Sequence, residues 1–160
     1  MIKNNKSGFT LIETLVYLAL LMLVLGGLLI VVYQVIESTA RNQMKVDVGE
    51  EGLFLIQKIE WGMNGATAVS VPASTTLSIT KSGLPPAQNP LLFTLSGQNL
   101  TLQRGTGSAV PLNSGSASVT SVVFTDIPAV QNTPEAVQAT VTLKNQTYTQ
   151  SFDTKVYLRK

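Results

Sequence analysis

Few residues in this chain are equipped for chemistry, and one is set apart by its position. Glu13 lies just inside the N-terminal end of an apolar stretch in which residues 15–33 are nineteen in succession without a charge. An unpaired carboxylate beside lipid costs several kcal/mol, so an acidic residue placed there reads as a functional group with a partner. The residues ahead of it form a fixed package: Lys3 and Lys6, then Gly8, then the bulky Phe9, with Glu13 five residues into the apolar segment. Elsewhere the chemical inventory is thin. Histidine and cysteine are absent. Their absence removes disulfides, Cys/His metal sites, thiol nucleophiles and every histidine-dependent triad.

The elements that must hold this package follow from periodicity. Residues 1–8 form a short polar leader whose two lysines keep that end in the cytoplasm, so everything after residue 36 is expected outside. Residues 9–36 form a spanning helix. At about 1.5 Å per residue the uncharged run alone covers roughly 28 Å, close to a hydrocarbon core of about 30 Å. Residues 37–62 continue as an amphipathic helix. Ile36, Ala40, Met44 and Val48, then Leu53, Ile56 and Ile59, recur every three to five residues, with Glu37, Arg41, Lys45, Asp47, Glu50 and Glu51 between them. Glu37 and Arg41 make a favourable i,i+4 pair. The helix is expected to end near Trp61, with Gly62 or Gly65 as the stop and bends at Gly26-Gly27 and Gly49/Gly52. Trp61 itself reads as a packing residue at the helix end.

Residues 63–160 read as a β-rich globular domain. Strands are expected at residues 77–79, 91–95, 99–103 and 119–124. Strict alternation marks two more, with Val137, Ala139, Val141 and Leu143 inward, then Tyr148, Gln150, Phe152, Thr154, Val156 and Leu158. Ser96-Gly97-Gln98-Asn99 and Asn145-Gln146 read as hairpin turns. The predicted fold class is α+β: a long N-terminal helix, half transmembrane and half amphipathic, packed on a small antiparallel sheet. Ser78-Ile79-Thr80-Lys81 spells S-x-x-K, which in penicillin-binding proteins sets a serine nucleophile beside a lysine. That pairing needs a helix, whereas in a strand positions i and i+3 point to opposite faces. Asp126, Glu135 and Asp153 are too scattered for a calcium site. No catalytic residue, metal ligand or cofactor is assigned.

Lys6-Ser7-Gly8-Phe9-Thr10-Leu11-Ile12-Glu13 resembles the processing site of type IV pilins and type II secretion pseudopilins. The resemblance implies that a membrane prepilin peptidase cuts between Gly8 and Phe9 and then methylates the new amine of Phe9. Glycine fits that place physically, because its bare, extended backbone can enter a narrow protease cleft. The resemblance also implies that Glu13 pairs with the N-terminal amine of a neighbouring subunit in a filament. Loss of Lys3 and Lys6 with the leader would leave nine basic residues against nine acidic ones. Such a neutral chain lacks a broad footprint for nucleic acid.

Two rival readings carry different expectations. Ser38-Thr39-Ala40 is a small-x-small triplet of the kind signal peptidase accepts, but the apolar run before it is about twice the usual 7–15-residue core of a signal peptide. A single-pass membrane-anchored extracytoplasmic binding domain that never polymerises is the alternative. Within the pilin resemblance, there is no proline before Pro72 and no cysteine, both unlike a major adhesive pilin. The segment Thr154-Lys155-Val156-Tyr157-Leu158-Arg159, after Val122-Val123-Phe124, is similar to minor pseudopilins of the J type, while tip subunits typically lack the glutamate. The resemblance therefore implies a non-enzymatic minor pilin or pseudopilin. It would sit in the inner membrane with its N-terminus cytoplasmic before joining a periplasmic or surface filament. Its implied partners are the prepilin peptidase, other pilins or pseudopilins, an inner-membrane assembly platform and the lipid bilayer, with nucleic acid only if the machine is a DNA-uptake pilus.

Overall fold

A computed structural model describes residues 10–131 and 133–158. The chain divides into two compact units, Met1–Asn42 and Gln43–Lys160. One helix, α1, spans Leu11–Met63 and runs unbroken through both glycine sites at which bends were expected. In the first unit it presents an apolar surface on every side. Leu15, Val16, Leu18, Leu21, Leu25, Leu29 and Val32 are all about half exposed or more, and no part of the most apolar stretch is buried. A helix apolar all round and buried in nothing of its own has to be covered by lipid or by other chains. That exposure separates it from the core helix of a soluble protein, which has the same composition but lies inside the fold.

In the second unit α1 becomes amphipathic. Its buried face is Val48, Gly52, Leu55, Ile56, Ile59, Gly62 and Met63, a stripe at helical spacing. Leu53, expected on this face with Ile56 and Ile59, is instead 56% exposed. At 100° per residue it lies about 100° beyond Gly52 and roughly 160° from Leu55, so it cannot share their face. The glycines in the stripe are there for closeness. A Cβ added at Gly52 would strike the Phe152 ring, and one at Gly62 would lie 2.9 Å from Phe93 Cε2 and 3.2 Å from Ile79 Cδ1. Termination falls at Gly65, whose φ of +75° is left-handed and follows the Asn64 N–H donated to the Glu60 carbonyl at 2.9 Å. Gly62, the other expected stop, lies inside the helix.

The strands form two antiparallel sheets. The first is a five-stranded meander in chain order: β1 Ala66–Ala73, β2 Thr76–Lys81, β3 Leu91–Ser96, β4 Asn99–Arg104 and β5 Val110–Pro111. The second has three strands, β6 Ser118–Ile127, β7 Ala136–Asn145 and β8 Tyr148–Tyr157, with β7 in the middle. Both expected hairpins are present. β3 and β4 turn through Gly97 (φ +61°) and Gln98, while β7 and β8 turn through Gln146 (φ +49°) and Thr147. The alternation predicted for β7 and β8 holds: Val137, Ala139, Val141 and Leu143 are buried, and on β8 the residues from Tyr148 to Val156 on the same alternation are the half-buried ones.

Two strands escaped the sequence reading. β1 is mostly exposed and contains Pro72, which is tolerated because β1 is an edge strand whose register shifts between Ser70 and Ala73. β5 is only two residues long. The architecture is therefore α+β as expected, with two sheets in place of one. Leu55 and Ile59 from α1, Leu77, Leu91 and Phe93 from the first sheet, and Val122, Val141 and Leu143 from the second belong to one core.

Candidate functional site

The N-terminal turn of α1 holds the described part of the predicted site. Thr10 precedes the helix, and its carbonyl accepts from the Glu13 N–H at 3.1 Å and the Thr14 N–H at 3.2 Å. The Thr14 hydroxyl donates back to the Leu11 carbonyl at 2.8 Å. Glu13 lies in this first turn, half-buried among apolar neighbours that face outward. The unsatisfied N–H groups of a helix start carry partial positive charge. A carboxylate there typically gains about 0.3–1 kcal/mol, which favours the fold locally but does not neutralise a full charge. Among the described residues the Glu13 carboxylate has neither a hydrogen-bond nor an ion-pair partner. Gly8 and Phe9, the predicted scissile pair, lie outside the described residues.

The other residues with chemical potential serve structure. Ser78 and Lys81 are both on β2, and Lys81 Nζ donates to the Trp61 carbonyl at 2.9 Å, leaving no serine–lysine pair. Among the described residues no three of Asp, Glu, His and Cys gather in a way that could hold a metal ion. The Ser38-Thr39-Ala40 triplet lies within α1, and the Thr39 hydroxyl donates to the Val35 carbonyl at 2.9 Å. The expected Glu37–Arg41 pair is present at 2.6 Å, on the surface.

Three polar arrangements were not foreseen. Asn113 is buried in the loop between β5 and β6, where its Oδ1 accepts from the Leu100 N–H at 3.2 Å. Its Nδ2 donates to Asn99 Oδ1 at 2.9 Å and to the Gln98 and Ala117 carbonyls at 3.3 Å. Next to it, Glu51 on α1 clasps Ser114 with both oxygens, one on the backbone N–H and the other on the hydroxyl at 2.6 Å. These two residues pin the loop to the sheet and to the helix. The third arrangement gathers cations around Trp61. Residues far apart in sequence supply each of these, so no local motif announces them.

Against known families, residues 3–29 match the prokaryotic N-terminal methylation motif. The match spans the leader lysines, Gly8, Phe9, Glu13 and most of the apolar run, and it supports the type IV pilin and pseudopilin family. An exposed apolar helix, continuing into a helix packed on antiparallel sheets, is consistent with a pilin-like fold. No curated protein and no solved structure matches the chain.

Proposed function

We propose that this chain is a minor pilin or pseudopilin, a structural subunit of a type IV pilus-like or type II secretion filament. The observation that carries the proposal is the methylation motif joined to a helix whose apolar half is buried in nothing of its own. In this reading prepilin peptidase hydrolyses the Gly8–Phe9 bond on the cytoplasmic side, and the freed amine of Phe9 is methylated. The chain waits in the inner membrane with residues beyond 36 outside, then moves through an assembly platform into a filament of sister pilins. The C-terminal likeness favours a J-type place among the minor subunits. Nucleic acid enters as cargo of the assembled machine only if that machine takes up DNA.

Glu13 is the proposed assembly residue. A carboxylate and an ammonium about 4 Å apart attract by roughly 4 kcal/mol at an effective dielectric near 20, before desolvation is subtracted. Its lack of a partner within the described chain supports a partner from another one. Glu13→Gln keeps the shape and hydrogen-bonding capacity while removing the charge. It should leave membrane insertion and leader removal unchanged, yet reduce crosslinking to sister pilins in cells that express the assembly machinery. Crosslinking of Glu13→Gln and Glu13→Val at the wild-type level would show that Glu13 is merely tolerated. The non-polymerising membrane-anchored domain would then be the better account.

A further inference from the structure

Trp61 is the only tryptophan in the chain, and it is 43% exposed near the C-terminal end of α1. Three cations from three elements converge on its ring. Lys81 Nζ, at the end of β2, lies 4.7 Å from the ring centroid; Arg104 Cζ, at the end of β4, lies 5.7 Å away; and Lys58 Nζ, one turn back on α1, lies 5.8 Å away. Cation–π attraction accounts for each contact singly. Lys58 Nζ also lies 5.3 Å from the half-exposed Phe54 ring, and Lys81 Nζ donates to the Trp61 carbonyl, but neither contact supplies a counter-charge to three cations that repel one another. Among the described residues the one ion pair is Glu37–Arg41, so no carboxylate stands within 4.0 Å of any of these three. The acid next to Trp61 along the helix, Glu60, accepts the Thr154 hydroxyl at 2.6 Å instead. Beside Arg104 a cleft of about 330 Å³ opens, walled by Leu102, Val110 and Leu112, with Gly107 and Ser108 at its polar side.

We propose that this cluster is a binding site for single-stranded nucleic acid. Phosphates would meet Lys58, Lys81 and Arg104, and an unstacked base would pack on the free part of Trp61 or enter the cleft beside Arg104. A positively charged surface interleaved with an aromatic platform is how sequence-tolerant single-strand binders work, because every base has a π-face and every linkage a charge. An acidic polypeptide would satisfy the cations. It would leave the indole and the apolar cleft unexplained, whereas the repeat of a nucleic-acid strand supplies flat rings and anions in alternation. The local excess of charge also operates in a chain that is close to neutral overall, since contacts at this range are not set by net charge. The site does not depend on the filament reading: an unprocessed or unassembled chain should still bind.

The test uses the full chain in neutral detergent, with Trp61 as its own reporter. Titration with a thymidine oligonucleotide of about 12 nucleotides, within the roughly 4–16 nucleotides such sites cover, should quench the tryptophan emission. Three phosphate contacts predict a slope near −2 for log K against log salt, from about −0.7 per contact on single strands. Lys58→Ala with Arg104→Ala, neither in the core, should weaken binding at least tenfold and flatten that slope to about −0.7. Trp61→Ala, followed by anisotropy of a labelled oligonucleotide, should weaken binding with the slope unchanged. The proposal is overturned if low salt gives no quenching, if the double variant binds like wild type, or if polyglutamate of equal charge competes as well as the oligonucleotide. The last result would assign the site to an acidic protein partner.

Discussion

Replacing Gly52 by alanine should destabilise the second compact unit, while the same change three residues earlier, at Gly49, should stabilise it. In an unconstrained helix interior either replacement gains roughly 1 kcal/mol, because glycine has more backbone freedom to lose. Gly49 can realise that gain, since a Cβ there meets nothing within 4 Å. At Gly52 the new Cβ falls on Cδ2, Cε2 and Cζ of Phe152, one whole edge of the ring. A small rotation cannot clear three atoms, so the ring must leave its place against the core. Full burial of a phenylalanine is worth about 1.5–3 kcal/mol, and Phe152 is partly buried, so about 1–2 kcal/mol of that is at stake. Overpacking strain adds about 1–3 kcal/mol where the ring cannot fully withdraw. After the helix gain is subtracted, the net loss is about 1–4 kcal/mol. The assay is thermal unfolding, followed by circular dichroism, of the fragment Gln43–Lys160, which contains every core residue. At about 4 °C per kcal/mol for a domain of this size, Gly52→Ala should melt roughly 4–16 °C below wild type and Gly49→Ala up to about 4 °C above it. A Gly52→Ala fragment that melts at or above wild type would refute the close approach of α1 to β8.

Other expectations follow from the same packing and from the leader. Leu55→Ala removes a fully buried side chain and should cost about 2–5 kcal/mol, whereas Leu53→Ala, on the exposed face, should fall within about 0.5 kcal/mol of wild type in the same melt. Ser114→Ala strips the hydroxyl contacts to Glu51 and Ser116 and the acceptor of the Ser116 N–H, so amide exchange at Ser116 should speed up with little change in melting temperature. Coexpression with prepilin peptidase should remove residues 1–8 and add one methyl group to Phe9, and Gly8→Glu should block the cut. Intact mass reads both, and a new terminus at Arg41 would assign the cleavage to signal peptidase.

How far the sequence could be read depended on whether the signal was local. The alternation from Val137 to Leu143 and from Tyr148 to Leu158 identifies β7 and β8, because both strands bury one face and leave the other wet. The uncharged run of residues 15–33 identifies the exposed half of α1 for a different reason: it is apolar on every side, so no period has to be found. β1 was illegible because an edge strand with small side chains has little to bury, and Pro72 argues against a central strand. The face of α1 was misjudged at Leu53 because apolar residues at 53, 54, 55 and 56 allow more than one stripe. What decides among them is the close approach at Gly52 and Gly62, set by Phe152 and Phe93 on other strands. Likewise the charges around Trp61 come from residues 58, 81 and 104, and only Lys58 is near it in sequence. The methylation motif of residues 3–29 was legible because its residue types lie at fixed, short spacings along the chain, independent of the fold.

The two units differ in what each still needs, and that difference frames the role of Glu13. Residues 43–160 have a core of their own, shared by the helix and both sheets. Among the described residues the apolar side chains of residues 15–36 are all exposed. Lipid tails are as apolar as leucine, so moving such a helix from a bilayer into a bundle of like helices gains little from the hydrophobic effect. Apolar surface alone therefore gives a subunit no strong reason to leave the membrane. On the proposed reading the preference must come from something lipid cannot supply, and a cation for Glu13 is such a thing. The cut at Gly8–Phe9 would create that cation, because before it the Phe9 nitrogen is a neutral amide and after it an amine. Processing would then do more than trim a leader: it would switch on the attraction that Glu13 is placed to use. A subunit with the leader retained should accordingly insert normally and still fail to crosslink to its sisters, even with Glu13 intact.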